Sequence, residues 1–116
     1  MPSLVCGISR PMLRIIHMNV NKVFALTNEL IEFIHKAKRT IIIINEPNKR
    51  AITLNPRAII NGALLVLLSE NISTKRILHI CDEVTAIDLP KELGGLRILA
   101  VYMRTHEQKK WAKLSE

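Results

Sequence analysis

Apolar and polar positions along this chain of 116 residues fall into blocks whose periods predict the order β-α-β-α-β-β. Lys22 to Leu26, KVFAL, is short and rich in β-branched and aromatic residues, which predicts a first strand. Thr27 or Asn28 then caps a helix, with Glu29 and Glu32 in its first turns, where the positive helix end favours carboxylates. Leu30, Ile31, Phe33, Ile34 and Ala37 recur at helical spacing and form its buried stripe. Lys36, Lys38 and Arg39 fall in the last turn, where they suit the negative helix end and equally well a face turned to DNA. Thr40 to Asn45, TIIIIN, is an unbroken β-branched run stopped by Pro47, the pattern of a strand covered on both faces.

The next block is the most distinctive. Asn55-Pro56 offers a cap followed by proline at a first helical position, and from Ala58 to Leu68 only Asn61 and Gly62 are not plainly apolar. This predicts a helix with two faces to hide, one against the sheet and one against a second subunit. Ile60, Leu64, Leu67 and Leu68 are the dimer-interface residues of that reading. Ser69 to Thr74 is a polar turn, RILHIC (76–81) a third strand and LRILAVYM (96–103) a fourth. Pro90 and Gly94-Gly95 give the segment between them the turn chemistry of a long hairpin. The fold class expected is α/β: a small two-layer sandwich, with a four-stranded mixed sheet and two helices on one face. Residues 1–17 lack a period and read as an N-terminal extension, 18–105 as the domain and 106–116 as a polar C-terminal tail.

Charge sharpens the functional question. The formal charge is +7 and the pI about 9.9, which favours polyanionic partners. Residues 19–57 carry a net +4, whereas 81–97 carry −2. The apolar content is aliphatic, with Phe24, Phe33, Tyr102 and Trp111 the only aromatics, so base stacking has few rings to use, while phosphate contact needs none. The basic residues expected to face nucleic acid are Lys49 and Arg50 first, then Lys22, Arg57, Lys75 and Arg76, with Lys91 and Arg97 in the late hairpin. Trp111, in KKWAK, reads as an indole packed on the body in preference to a ring that stacks on nucleic acid.

Catalytic and metal chemistry finds little support. Cys6 and Cys81 form no CxxC pair, and His79 with Cys81, two residues apart on one strand, lacks a second ligand pair for zinc. Both read as core residues. Asp82-Glu83 resembles a nuclease carboxylate pair without a matching lysine, and no nucleophile elbow or phosphate loop is present. No enzyme, metal or cofactor is expected. No apolar run reaches a membrane span, and Arg10 and Arg14 interrupt any leader-like stretch, so a cytoplasmic protein is expected. Seventeen Ile, one Gln and abundant Lys/Arg lean towards a thermophile, against eight Asn.

Three segments together resemble the Alba family of archaeal chromatin proteins: KVFALTNELIEFI, TIIIINEPNKRAI, and the span from the apolar helix through KRILHICDEV to LRILAVYMR. The likeness covers roughly residues 20–105, with Lys49-Arg50-Ala51-Ile52 as its one short motif. It implies a nucleoid-associated homodimer that binds double-stranded DNA, and in some members RNA, largely without sequence preference. Where that family has a basic hairpin arm, VTAIDLPKELGG is acidic to neutral. That departure motivates the alternatives of RNA binding or of a subunit that heterodimerises with a more basic paralogue. A small metal-dependent nuclease is the remote rival.

Overall fold

The computed structural model describes residues 12–52 and 57–102. Strand β1 (Arg14–Asn19) leads through a turn into helix α1 (Phe24–Lys36) and then strand β2 (Thr40–Asn45). A 3-10 turn (Lys49–Ile52) follows, then the strands β3 (Ile59–Asn61), β4 (Leu64–Leu68), β5 (Arg76–Cys81), β6 (Val84–Asp88) and β7 (Arg97–Val101), with a second 3-10 turn at Lys91–Leu93. The chain is α/β, with a mixed four-stranded sheet in the order β1-β2-β4-β3 and a three-stranded meander β5-β6-β7. β1 and β2 are parallel, and every other pair is antiparallel.

Two expectations fail here. The Ala58–Leu68 block is not a helix but the hairpin β3–β4, with Asn61 paired to Leu64 across Gly62 and Ala63. Gly62 has φ +60° and Ala63 an ordinary negative φ, as in a type II′ hairpin turn with glycine at its first central position. KVFAL is not a strand either. Asn21 and Lys22 take left-handed φ of +50° and +62°, turning the chain so that α1 begins at Phe24, before the expected caps and with no acid in its first turn. Thr27 is instead fully buried inside the helix: its hydroxyl donates to Val23 O at 2.9 Å and accepts from Asn48 N at 3.0 Å.

Three layers explain why β2 and β4 are apolar at consecutive positions. Ile42, Ile44, Leu65 and Leu67 face α1, with Val20, Ile31, Ile34 and Ile52. Ile41, Ile43, Leu64, Val66 and Leu68 face the meander, with Ile72, Ile87, Leu89 and Ala100. All five residues of β4 are buried. Each such side chain taken from water stabilises the fold by about 1.5–3 kcal/mol. The second face of the apolar block is thus covered by β5–β7 of the same chain. Leu64, Leu67 and Leu68, expected at a dimer interface, are core residues with no surface to offer a partner; only Ile60, on the short edge strand β3, is exposed.

β1 begins inside the stretch expected to be an extension. As an edge strand it has five of its six residues exposed, and only Ile16 packs on the core, which is why its period is faint. The segment expected as an acidic hairpin arm contains β6, the central strand of the meander. Cys6, Trp111, the Asn55-Pro56 cap and the tail lie outside the described residues.

Candidate nucleic-acid interface

Strand directions sort the cations into two ends. At the Thr40 end lie the starts of β1, β2, β3, β5 and β7, the finishes of α1, β4 and β6, and the loops between them. Short bonds tie these segments together. Arg14 N donates to Arg39 O at 2.7 Å, Thr40 N to Ser69 Oγ at 3.0 Å, Arg39 N to Asn71 Oδ1 at 2.9 Å, and Lys75 N to Asp88 O at 2.7 Å. Arg57 donates through its guanidinium to Ser69 O at 2.9 Å and also to Ile72 O.

This end gathers Arg14, Lys36, Lys38, Arg39, Arg57, Lys75, Arg76, Lys91 and Arg97, against Glu70, Asp88 and Glu92. Asp88 is already engaged. It stands between two arginines across the meander, paired to Arg76 on β5 and Arg97 on β7. Arg97 Nε reaches Asp88 Oδ1 at 2.6 Å and its Nη2 reaches Oδ2 at 2.9 Å, while Arg76 Nε lies 3.3 Å from Oδ2. The Arg97 hydrogen bond, with Arg76 assisting, holds the Asp88 carboxyl down at about 2, well below the ordinary carboxylate range. Lys75, Lys91 and Arg97 line one cleft beside it, and Lys36 and Lys38 line another with Glu70. Lys36, Lys38, Lys75 and Lys91 are exposed and form no ion pair within the described residues.

The Asn45 end is different. There, among the described residues, Lys22, Lys49 and Arg50 lie with Glu46, Asp82 and Glu83, three charges of each sign. Lys22, Lys49 and Arg50 line a cleft of about 460 Å³ with Glu46, Pro47, Asn48 and Ala63. Strands of five or six residues put the two ends about 17–20 Å apart, so the residues expected to form one surface form two. Lys75, Arg76, Lys91 and Arg97 are brought together, with Arg57 behind them holding carbonyls. Lys22, Lys49 and Arg50 make a separate group.

Arg14 joins the basic end although its position in the expected extension gave no sign of it. For Lys36, Lys38 and Arg39 the helix-end position was the one signal available, and it fits either role. His79 and Cys81 are both exposed rather than core residues. A bulge between them pairs His79 with Thr85 but Cys81 with Val84, so they do not share a face. Among the described residues no three His, Cys, Asp or Glu side chains gather to hold a metal, and no helix is long and apolar enough to cross a membrane. Compared with protein-family models, curated proteins and solved structures, the chain matches none.

Proposed function

We propose that this chain is a non-catalytic nucleic-acid-binding protein that holds the phosphate backbone with its Thr40 end. One observation carries the reading: among the described residues, nine Lys/Arg stand against three acids at that end, one of those acids spent on two arginines. Such a surface exchanges lysine and arginine for the counterions condensed on a duplex, which gives affinity with little sequence discrimination. The Alba resemblance lends little to this proposal, because it rests on an element order with a second helix, and that block is the β3–β4 hairpin. The double-faced apolar block no longer calls for a second subunit, so binding by the monomer is the simplest form of the proposal.

The test is binding to a random-sequence DNA duplex across a salt series, with a fourfold variant Lys36→Gln, Lys38→Gln, Lys75→Gln, Lys91→Gln. A steep salt dependence is expected in the native chain, and the slope should flatten by about 0.9 for each phosphate that the variant no longer neutralises. A slope unchanged in the variant removes this end as the interface. Stronger binding to RNA of the same sequence at matched salt would turn the assignment from DNA to RNA.

A further inference from the structure

We propose that the cleft at the Asn45 end is a separate site for a phosphomonoester on a small organic group, with a mononucleotide as the fitting class. Its volume of about 460 Å³ lies in the range of small-molecule sites, roughly 300–1,000 Å³. It opens beyond the carboxyl ends of the parallel strands β1 and β2, the place where α/β sheets tend to receive ligands.

The two lysines of the cleft are not engaged by its carboxylate. Glu46 lines the same cleft as Lys22 and Lys49, yet its Oε2 accepts from the Tyr102 hydroxyl at 3.0 Å. Neither lysine has an ion-pair partner among the described residues. Two ammonium groups without an ion pair in one concavity match a dianionic phosphate. Pro47 and Ala63 supply an apolar wall for a ring or sugar, and Glu46 Oε1 can accept from a ligand hydroxyl.

The backbone holds Lys22 in place for this role. Its φ of +62° is left-handed, a conformation that costs a side-chain-bearing residue about 1–3 kcal/mol. Two bonds sustain it: Lys22 N donates to Glu46 O at 2.7 Å, and Asn48 Nδ2 donates to Lys22 O at 2.9 Å. Asn48 also accepts Arg50 N on its Oδ1 at 3.1 Å, so one side chain ties the backbone of Lys22 to that of Arg50.

The experiment is calorimetric titration of the full chain with adenosine 5′-monophosphate, inorganic phosphate and adenosine. Saturable binding of the monophosphate and none of adenosine is expected. The variant Lys22→Asn with Lys49→Gln, asparagine being tolerant of left-handed φ, should weaken binding about tenfold or more, the loss expected for charge-assisted hydrogen bonds. Lys75→Gln with Lys91→Gln should leave the affinity unchanged, although it should weaken duplex binding, so this proposal and the nucleic-acid one fail separately. If Lys22→Asn lowers the melting temperature, Lys49→Gln alone carries the test. A short oligonucleotide with a 5′-phosphate that binds more tightly than the monophosphate, while its 5′-hydroxyl form does not bind, makes the natural source a nucleic-acid terminus. The reverse order makes it a free nucleotide. No saturable binding of any phosphate probe into the millimolar range, or binding unaffected by the lysine changes, overturns the proposal.

Discussion

Gly62 lies against the backbone of Asp82: a Cβ placed on Gly62 would meet the Asp82 carbonyl oxygen at 3.0 Å. This approach joins the tips of two hairpins, β3–β4 and β5–β6, and beside it the Asn61 amide donates to Cys81 O at 2.7 Å and Thr85 Oγ1 at 2.9 Å. Gly62→Ala therefore meets both a left-handed φ and a wall of backbone. A destabilisation of about 2–3 kcal/mol is expected in denaturant unfolding. Gly95, at φ +63° with open space where a Cβ would stand, is the control. Gly95→Ala should show only the conformational part, about 1–2 kcal/mol. Equal effects at the two sites would mean that the hairpin tips do not press together.

Burial of β4 on both faces by one chain makes a second prediction. Leu67→Ala empties space against α1, and Leu64→Ala empties space against the meander. Each should cost about 2–5 kcal/mol. The native melting temperature should not move with protein concentration, because both faces of β4 are covered within one chain. A midpoint that rises steadily with concentration would restore the need for a dimer.

What could be read from the sequence was what local pattern determines. Thr40–Asn45 and Arg76–Cys81 are strands with the boundaries their β-branched runs predicted, and Ile31 and Ile34 bury the helix face their spacing indicated. The Ala58–Leu68 block misleads because a short apolar run looks alike in a buried helix and in a strand covered twice. Gly62, at the first central position of the type II′ turn, is the residue that breaks the run into two strands. The site was less legible. Lys36, Lys75 and Lys91 are far apart along the chain, and only the alternating directions of α1, β5 and β6 bring them to one end. The neutralisation of Arg76 and Arg97 by Asp88 likewise depends on the register of three strands, which charge counting does not show.

That register has a pH consequence. The folded Asp88 carboxyl titrates near 2, below its ordinary value of about 3.9 in an unfolded chain. A lowered folded value means that the ion pairs stabilise the fold above the unfolded value and are lost as pH falls towards 2. Asp88→Asn should be less stable than the native chain at neutral pH, and the difference should shrink between about pH 4 and pH 2. The carboxyl is near solvent, so the effect should also shrink in high salt. The same substitution releases two arginines at the proposed interface, so duplex affinity should rise as stability falls. A gap that persists at pH 2 would show that the asparagine acts through packing rather than charge.

Arg57 separates a structural cation from a binding one. Its guanidinium donates to the carbonyls of Ser69 and Ile72, closing the loop between β4 and β5 onto the start of β3. Hydrogen bonds from a charged donor are each worth about 1.5–3 kcal/mol, and a lysine cannot span two carbonyls with the same fork. Arg57→Lys keeps the charge but should lower stability by about 1–2 kcal/mol, with the salt slope of duplex binding unchanged. Lys75→Gln should do the opposite, leaving the melting curve in place while the slope falls by about 0.9, the share of one neutralised phosphate. If Arg57→Lys instead weakens binding and leaves stability untouched, its guanidinium turns to the phosphates when the duplex arrives, and the loop must be held by its remaining bonds.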